Sequence, residues 1–174
     1  RKGESMWEKM KLDLIKRGNY ITCFIDGNHE NHYALETYPR EKWRGGMVHV
    51  IRRDSSGNPK IVHLIRGEVY GINGKRIFVF GGAHSEDCQY RKAYRNWWPD
   101  RELPDREEMA RGVRNLKKNN WQTDFVLTHT MPAGVFQPGF RHYGDQEETE
   151  LREYLEKIRS TCSFQRWYSG HIHL

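Results

Sequence analysis

The stretch Tyr20-Ile21-Thr22-Cys23-Phe24-Ile25-Asp26-Gly27-Asn28-His29-Glu30 decides how the chain is read. Residues 20–25 form an unbroken, mostly apolar run, the pattern of a strand covered on both faces. A polar turn follows at once. Gly27 lets the backbone reverse sharply, Asn28 offers an amide oxygen, and His29 can give or take a proton near neutral pH. Loops just past the carboxyl ends of strands are where α/β proteins place their chemistry. Two later pieces repeat the arrangement. Residues 125–127 lead into Thr128-His129, and residues 164–168 lead into Gly170-His171-Ile172-His173. In an extended segment His171 and His173 point to the same side. Taken singly, each piece has an ordinary explanation: a capping Asn or a hydrogen-bonded His. Taken in order, each after an apolar run, they supply imidazole and amide donors that can converge on metal.

Working outward, residues 4–17 carry apolar side chains at Trp7, Met10, Leu14 and Ile15, the spacing of an amphipathic helix, and Gly18-Asn19 is a stop signal. From Met47 to Gly82 the pattern shortens to strands over 48–51, 60–65, 68–72 and 76–80. The Asn73-Gly74 pair between two of them predicts a hairpin, and the whole stretch reads as an antiparallel meander. A short helix is expected over 86–96, interrupted by Trp97-Trp98-Pro99. A longer one is expected over 106–119, capped by Asp105. Residues 131–143 read as an irregular loop, and 147–158 as a helix with Leu151, Tyr154, Leu155 and Ile158 on one face. His32 is expected to be an exposed residue opening a helix. The order of elements gives an α/β protein of layered, mixed sheets.

The 174 residues fit one domain. Charged residues make up 30% of the chain and mean hydropathy is −0.94; no apolar run approaches the roughly 18 residues of a membrane helix. The formal net charge of +6 favours anionic partners, phosphate-bearing molecules or nucleic acid. The basic residues are scattered, without the blocks of a nucleic-acid-binding arm. Cys23, Cys88 and Cys162 are far apart and form no CxxC pair, which excludes a thiolate zinc site and fits a reducing, cytoplasmic setting. His29-Glu30-Asn31-His32 spaces its histidines three apart, which excludes the His-Glu-x-x-His helix of zinc proteases.

In these motifs the chain resembles the calcineurin-like metallophosphoesterases. The Gly-Asn-His-Glu at 27–30, the strand-end His129 and the Gly-His-x-His at 170–173 stand as three of the family's five blocks. The segments 26–31, 64–70, 81–85, 97–99 and 126–130 resemble a bacterial branch of it. The other two blocks are missing. No Asp is followed two positions later by His, and the one Gly-Asp pair, Gly144-Asp145, lies after His129. Residues 1–174 are therefore expected to be a single phosphoesterase domain cut at the N-terminus and at the C-terminus.

The resemblance implies an α-β-β-α sandwich of mixed sheets, incomplete in this chain. It implies a hydrolase of phosphomonoesters or phosphodiesters that works through two divalent cations. Those would be Mn, Fe or Zn, since nitrogen and oxygen donors without thiolate suit all of them. Asn28, His129 and His171 would hold one cation, and His173 the other. His29 would serve the leaving group without binding metal. Arg66, His84 and Arg91 are candidates for substrate contact, Trp97 and Trp98 for base stacking, and His142 and Tyr143 for a lid. The expected partner is a phosphate ester, either a small molecule or a nucleotide, with nucleic acid a further candidate and no membrane. Without the missing carboxylates, this segment alone is expected to be weak or inactive. The alternatives are a non-catalytic basic nucleic-acid-binding domain and a degenerate, inactive phosphoesterase scaffold.

Overall fold

The structure, a computed structural model, describes residues 6–85, 87, 98–135 and 148–172. The expected helix over 86–96, Arg91, Trp97, His142, Tyr143, His173 and Cys88 lie outside the described residues. Two four-stranded sheets form the frame. In the first, β1 (Thr22–Phe24) runs parallel to β4 (Pro59–Leu64). The latter pairs antiparallel with β3 (Gly46–Arg53), and β3 with β2 (Arg40–Trp43). In the second sheet, β5 (Val69–Ile72) and β6 (Lys75–Phe80) form a hairpin. Parallel strands β7 (Phe125–Thr128) and β8 (Arg166–Ser169) extend it.

Alternation along the strands builds two cores. Val48, Val50, Val62 and Leu64 of the first sheet meet Tyr70 and Val79 of the second, with Cys23, Ile25, Ile77 and Leu127 packed around them. The opposite face of the second sheet presents Phe78, Phe80 and Val126. These pack on Leu116 of α4 (Arg106–Lys118) and on Leu151, Tyr154, Leu155 and Ile158 of α5 (Thr149–Thr161). Each fully buried side chain of this size stabilises the fold by about 1.5–3 kcal/mol before entropy is charged against it. On the outer face of the first sheet, α1 (Met6–Arg17) touches β3 and β4. The result is the expected α/β sandwich with helices on its faces.

Local chemistry explains the element ends. Asp105 accepts from the backbone of Glu108 at 2.7 Å, and the Glu108 carboxylate accepts from the backbone of Asp105 at 3.0 Å. This reciprocal box satisfies two otherwise orphaned N–H groups and starts α4. Asn73 and Gly74 both take positive φ, 50° and 74°, the twist a tight hairpin between right-twisted strands requires. Two short helices, α2 (His32–Glu36) and α3 (Pro99–Glu102), line one end of the first sheet.

Three expectations are corrected. The predicted meander is split between sheets. After β4 the chain turns a corner at residues 65–68, where Tyr70 clamps it: its hydroxyl accepts from the Ile65 backbone at 2.9 Å and donates to the Met47 carbonyl at 2.6 Å. Burial pushes the Tyr70 phenol far up, keeping it a neutral donor. The strand predicted to be covered on both faces, β1, is half-buried and lies at one end of its sheet, with Tyr20 and Ile21 exposed. Its apolar run alone did not reveal an edge position. Finally, β2 was missed because Arg-Glu-Lys-Trp carries too little apolar alternation to read as a strand. Among the described residues no helix is long and apolar enough to cross a membrane.

Candidate functional site

The loops after β1, β7 and β8 meet, although the first belongs to one sheet and the others to the second. Nε2 of His129 stands 3.0 Å from Oδ1 of Asn28. The rings of His129 and His171 lie 5.1 Å apart, centre to centre. The backbone fixes this meeting. Gly170 donates to the His129 carbonyl at 2.9 Å, which registers the last loop against the middle one. A side chain at Gly27 would collide with the imidazole of His129, its Cβ only 2.6 Å from Cε1. Glycine is thus needed to let the two loops close on one another. His171 sits at φ 71°, a backbone region that disfavours side chains and that recurs at functional sites. Burial of the next residue, Ile172, at 2% exposure anchors it there.

Around these donors lies a shell of buried carboxylates that sequence reasoning missed. Asn28 Nδ2 donates to the Ser85 hydroxyl at 3.2 Å. Ser85 in turn donates through its hydroxyl to Glu102 Oε2 at 2.7 Å, and through its backbone to Oε1 at 3.1 Å. Glu148, 2% exposed, places Oε2 3.6 Å from His171 Nε2 and accepts from the His84 backbone at 3.3 Å. Burial raises the Glu148 carboxyl, but hydrogen bonds from His171 and Thr130 and the charge of Arg152 outweigh it, so the net shift is downward. Burial, reinforced by repulsion from His171, pulls the His129 imidazole down to about 4. At neutral pH it is uncharged, the form that ligates metal. The signal for both glutamates was weak, because Glu102 and Glu148 stand among many surface acids in the sequence.

The remaining candidates divide. His29 is exposed at 61% and faces Asp87 at 3.7 Å, next to Asn28 in the chain. His84 is turned the other way, with Nδ1 3.2 Å from Glu102 Oε1. Arg66 is 5% exposed and committed to internal partners. It reaches Asp26 at 2.6 Å, Glu108 at 3.1 Å and the carbonyls of Arg101 and Glu102. It props the loops and is not available to a substrate. His32, expected to be exposed, is buried at 6% exposure with Nδ1 3.8 Å from Asp26.

Asp26 is the hub of that second network. Burial alone would raise its carboxyl. The charge of Arg66 and the hydrogen bond from His63 outweigh burial and hold it well below the usual carboxylate range.

Two donors on one cation at about 2.1 Å and a right angle would be about 3.0 Å apart, the separation seen between Asn28 Oδ1 and His129 Nε2. An amide oxygen and two imidazoles suit one borderline divalent ion. Among the described residues, no group of three or more His, Cys, Asp or Glu is gathered closely enough to hold a metal. Asn28 and His129 are in hydrogen-bond contact, and with His171 they do not by themselves make a complete cation site.

The chain is similar to the lariat debranching enzyme of Drosophila pseudoobscura pseudoobscura, 24% identical over 166 residues. It is also similar to the lariat debranching enzyme of Drosophila melanogaster, 24% identical over 173 residues. Each match covers 88% of this chain and 28% of the fly enzyme, so the chain spans little more than a quarter of the length of these relatives. Both are fly proteins, and they lend no support to the expected bacterial branch. No family model matches, and no solved structure matches.

Proposed function

We propose that this chain is part of a calcineurin-like metal-dependent phosphodiesterase, and that its loops supply one side of the metal centre. The convergence of Asn28, His129 and His171 from both sheets carries this reading. The similarity to two lariat debranching enzymes supports it and is the reason to propose a phosphodiester such as an RNA branch as the substrate. The net charge of +6 suits such an anion. When bound, divalent cations would offset charge on the phosphoryl oxygens and lower the pKa of bound water.

The residues of the chain have distinct tasks. Asn28 Oδ1 and the imidazoles of His129 and His171 are the ligands, with His173 expected beside them. Glu148 turns the Nε2 edge of His171 toward itself and leaves the other ring nitrogen for the cation. His29, exposed on the loop that holds Asn28, is the group to protonate the leaving oxygen. Arg66 serves the fold, since buried partners take its guanidinium, and His84 holds Glu102 through Nδ1.

The test uses the full protein that carries this chain, with bis(p-nitrophenyl) phosphate and a branched RNA as substrates, with Mn²⁺ and with EDTA. Hydrolysis that needs Mn²⁺ and falls at least a hundredfold in His129→Ala is expected. Hydrolysis indifferent to both EDTA and His129→Ala would overturn the assignment. Salt-sensitive RNA binding with no turnover would favour a binding module instead.

A further inference from the structure

We propose that Ser85, held by the carboxylate of Glu102, is a positioning residue that sets which end of the Asn28 amide faces His129. The proposal rests on the reading of Asn28 as a metal ligand. An asparagine amide has one useful end for a cation, its oxygen; the NH2 end repels it. The two ends are nearly equal in size, so shape alone does not choose between them. Hydrogen-bond direction does.

The direction can be followed atom by atom. Glu102 is 1% exposed and accepts twice from Ser85: from the backbone N–H at Oε1, 3.1 Å, and from the hydroxyl at Oε2, 2.7 Å. A serine hydroxyl has one proton. Its other approach, to the Asn28 carbonyl, is longer at 3.3 Å, so the proton goes to the carboxylate. The hydroxyl oxygen then has only lone pairs for Asn28. It accepts from Nδ2 at 3.2 Å, and Oδ1 is left facing His129 Nε2 at 3.0 Å. Ser85 itself is 0% exposed, so no water competes for these bonds. Groups behind metal ligands typically change affinity by about 10–100-fold when removed.

The same logic gives a sharper test than deletion. In Glu102→Gln the shape is kept. The backbone N–H of Ser85 holds the new amide oxygen at the Oε1 position, so the new NH2 faces the Ser85 hydroxyl. That hydroxyl then accepts from Gln, and its proton goes either to the Asn28 backbone carbonyl 3.3 Å away or to the side-chain amide turned over, so the hold on the direction of the amide loosens.

Two readouts separate this proposal from the metal assignment. The first uses metal-free protein: ¹⁵N–¹H spectra of the Asn28 side-chain amide, with contacts to the Ser85 β-protons and slow solvent exchange expected in the wild type. Both signatures should vanish in Ser85→Ala, weaken in Glu102→Gln, and be kept in Ser85→Thr. The second is Mn²⁺ binding by calorimetry in the full protein, expected to weaken about tenfold or more in Ser85→Ala, by less in Glu102→Gln, and to stay at the wild-type level in Ser85→Thr. A wild type that shows the amide signature but binds no Mn²⁺ sinks the metal reading and leaves the amide lock standing. An Asn28 signature unchanged in Ser85→Ala overturns the lock. If Glu102→Gln fails to fold, Ser85→Ala and Ser85→Thr decide the matter alone.

Discussion

Oδ1 of Asn28 and Nε2 of His129 stand 3.0 Å apart, although 101 positions separate the two residues in the chain. One comes from the loop after β1 in the first sheet and the other from the loop after β7 in the second. Their approach therefore reports that the sandwich has closed. If both hold one cation, Asn28→Ala and His129→Ala should each weaken Mn²⁺ binding by more than about tenfold. Calorimetric titration checks this, with Tyr20→Ala, an exposed control just before β1, expected to bind as wild type.

Asp26 and Arg66 form a buried pair 2.6 Å apart. Removing one partner strands the other, which ordinarily costs about 3–5 kcal/mol. Arg66→Met should lower stability by that order in urea unfolding. The double variant Asp26→Asn/Arg66→Met should cost less than the sum of the single ones, because the residues share one interaction.

A pH response follows from His49. Burial first, then repulsion from His63 and Arg40, hold its imidazole down at about 4, against an ordinary 6.5. The unfolded chain therefore binds more protons between those values. Stability from this residue is full above pH about 6.5 and is lost as the pH falls toward about 4. His129, also held to about 4, adds to the loss in the same window. Asp26, held well below the usual range, keeps its contribution throughout it. Thermal midpoints measured from pH 7 to pH 4 should fall, and fall less in His49→Gln.

Helix α4 approaches the second sheet through Gly112. A Cβ there would lie 2.2 Å from the Tyr154 hydroxyl and 3.3 Å from Phe78. Tyr154 donates that hydroxyl to the Met109 carbonyl at 3.0 Å, so it cannot swing aside freely. Gly112→Ala should destabilise by about 1–3 kcal/mol despite the better helix propensity of alanine. Chemical denaturation of the variant would show it.

What the sequence disclosed followed the kind of signal each part emits. The parallel strands β7 and β8 and the loops behind them were legible because each joins an apolar run to a histidine. Helix α4 was legible because Asp105 marks its start, while the part of Glu108 in the cap appeared only in the structure. The split of the meander was not, since it depends on Tyr70 reaching across the sheets, a contact no local pattern records. The convergence of Asn28 with His129 and His171 was anticipated from motif order. The shell behind it was not. Glu102, Glu148 and Ser85 gain their meaning only from burial, which single residues on polar segments do not announce. Arg66 was ambiguous for the same reason, as a guanidinium that holds the fold looks, in sequence, like one that holds a phosphate.

The most direct test is anomalous diffraction from crystals of the protein grown with Mn²⁺. An anomalous peak within coordination distance of Asn28 Oδ1, His129 Nε2 and the His171 ring is the predicted result. Crystals saturated with Mn²⁺ that show density only elsewhere, or none, would contradict the account.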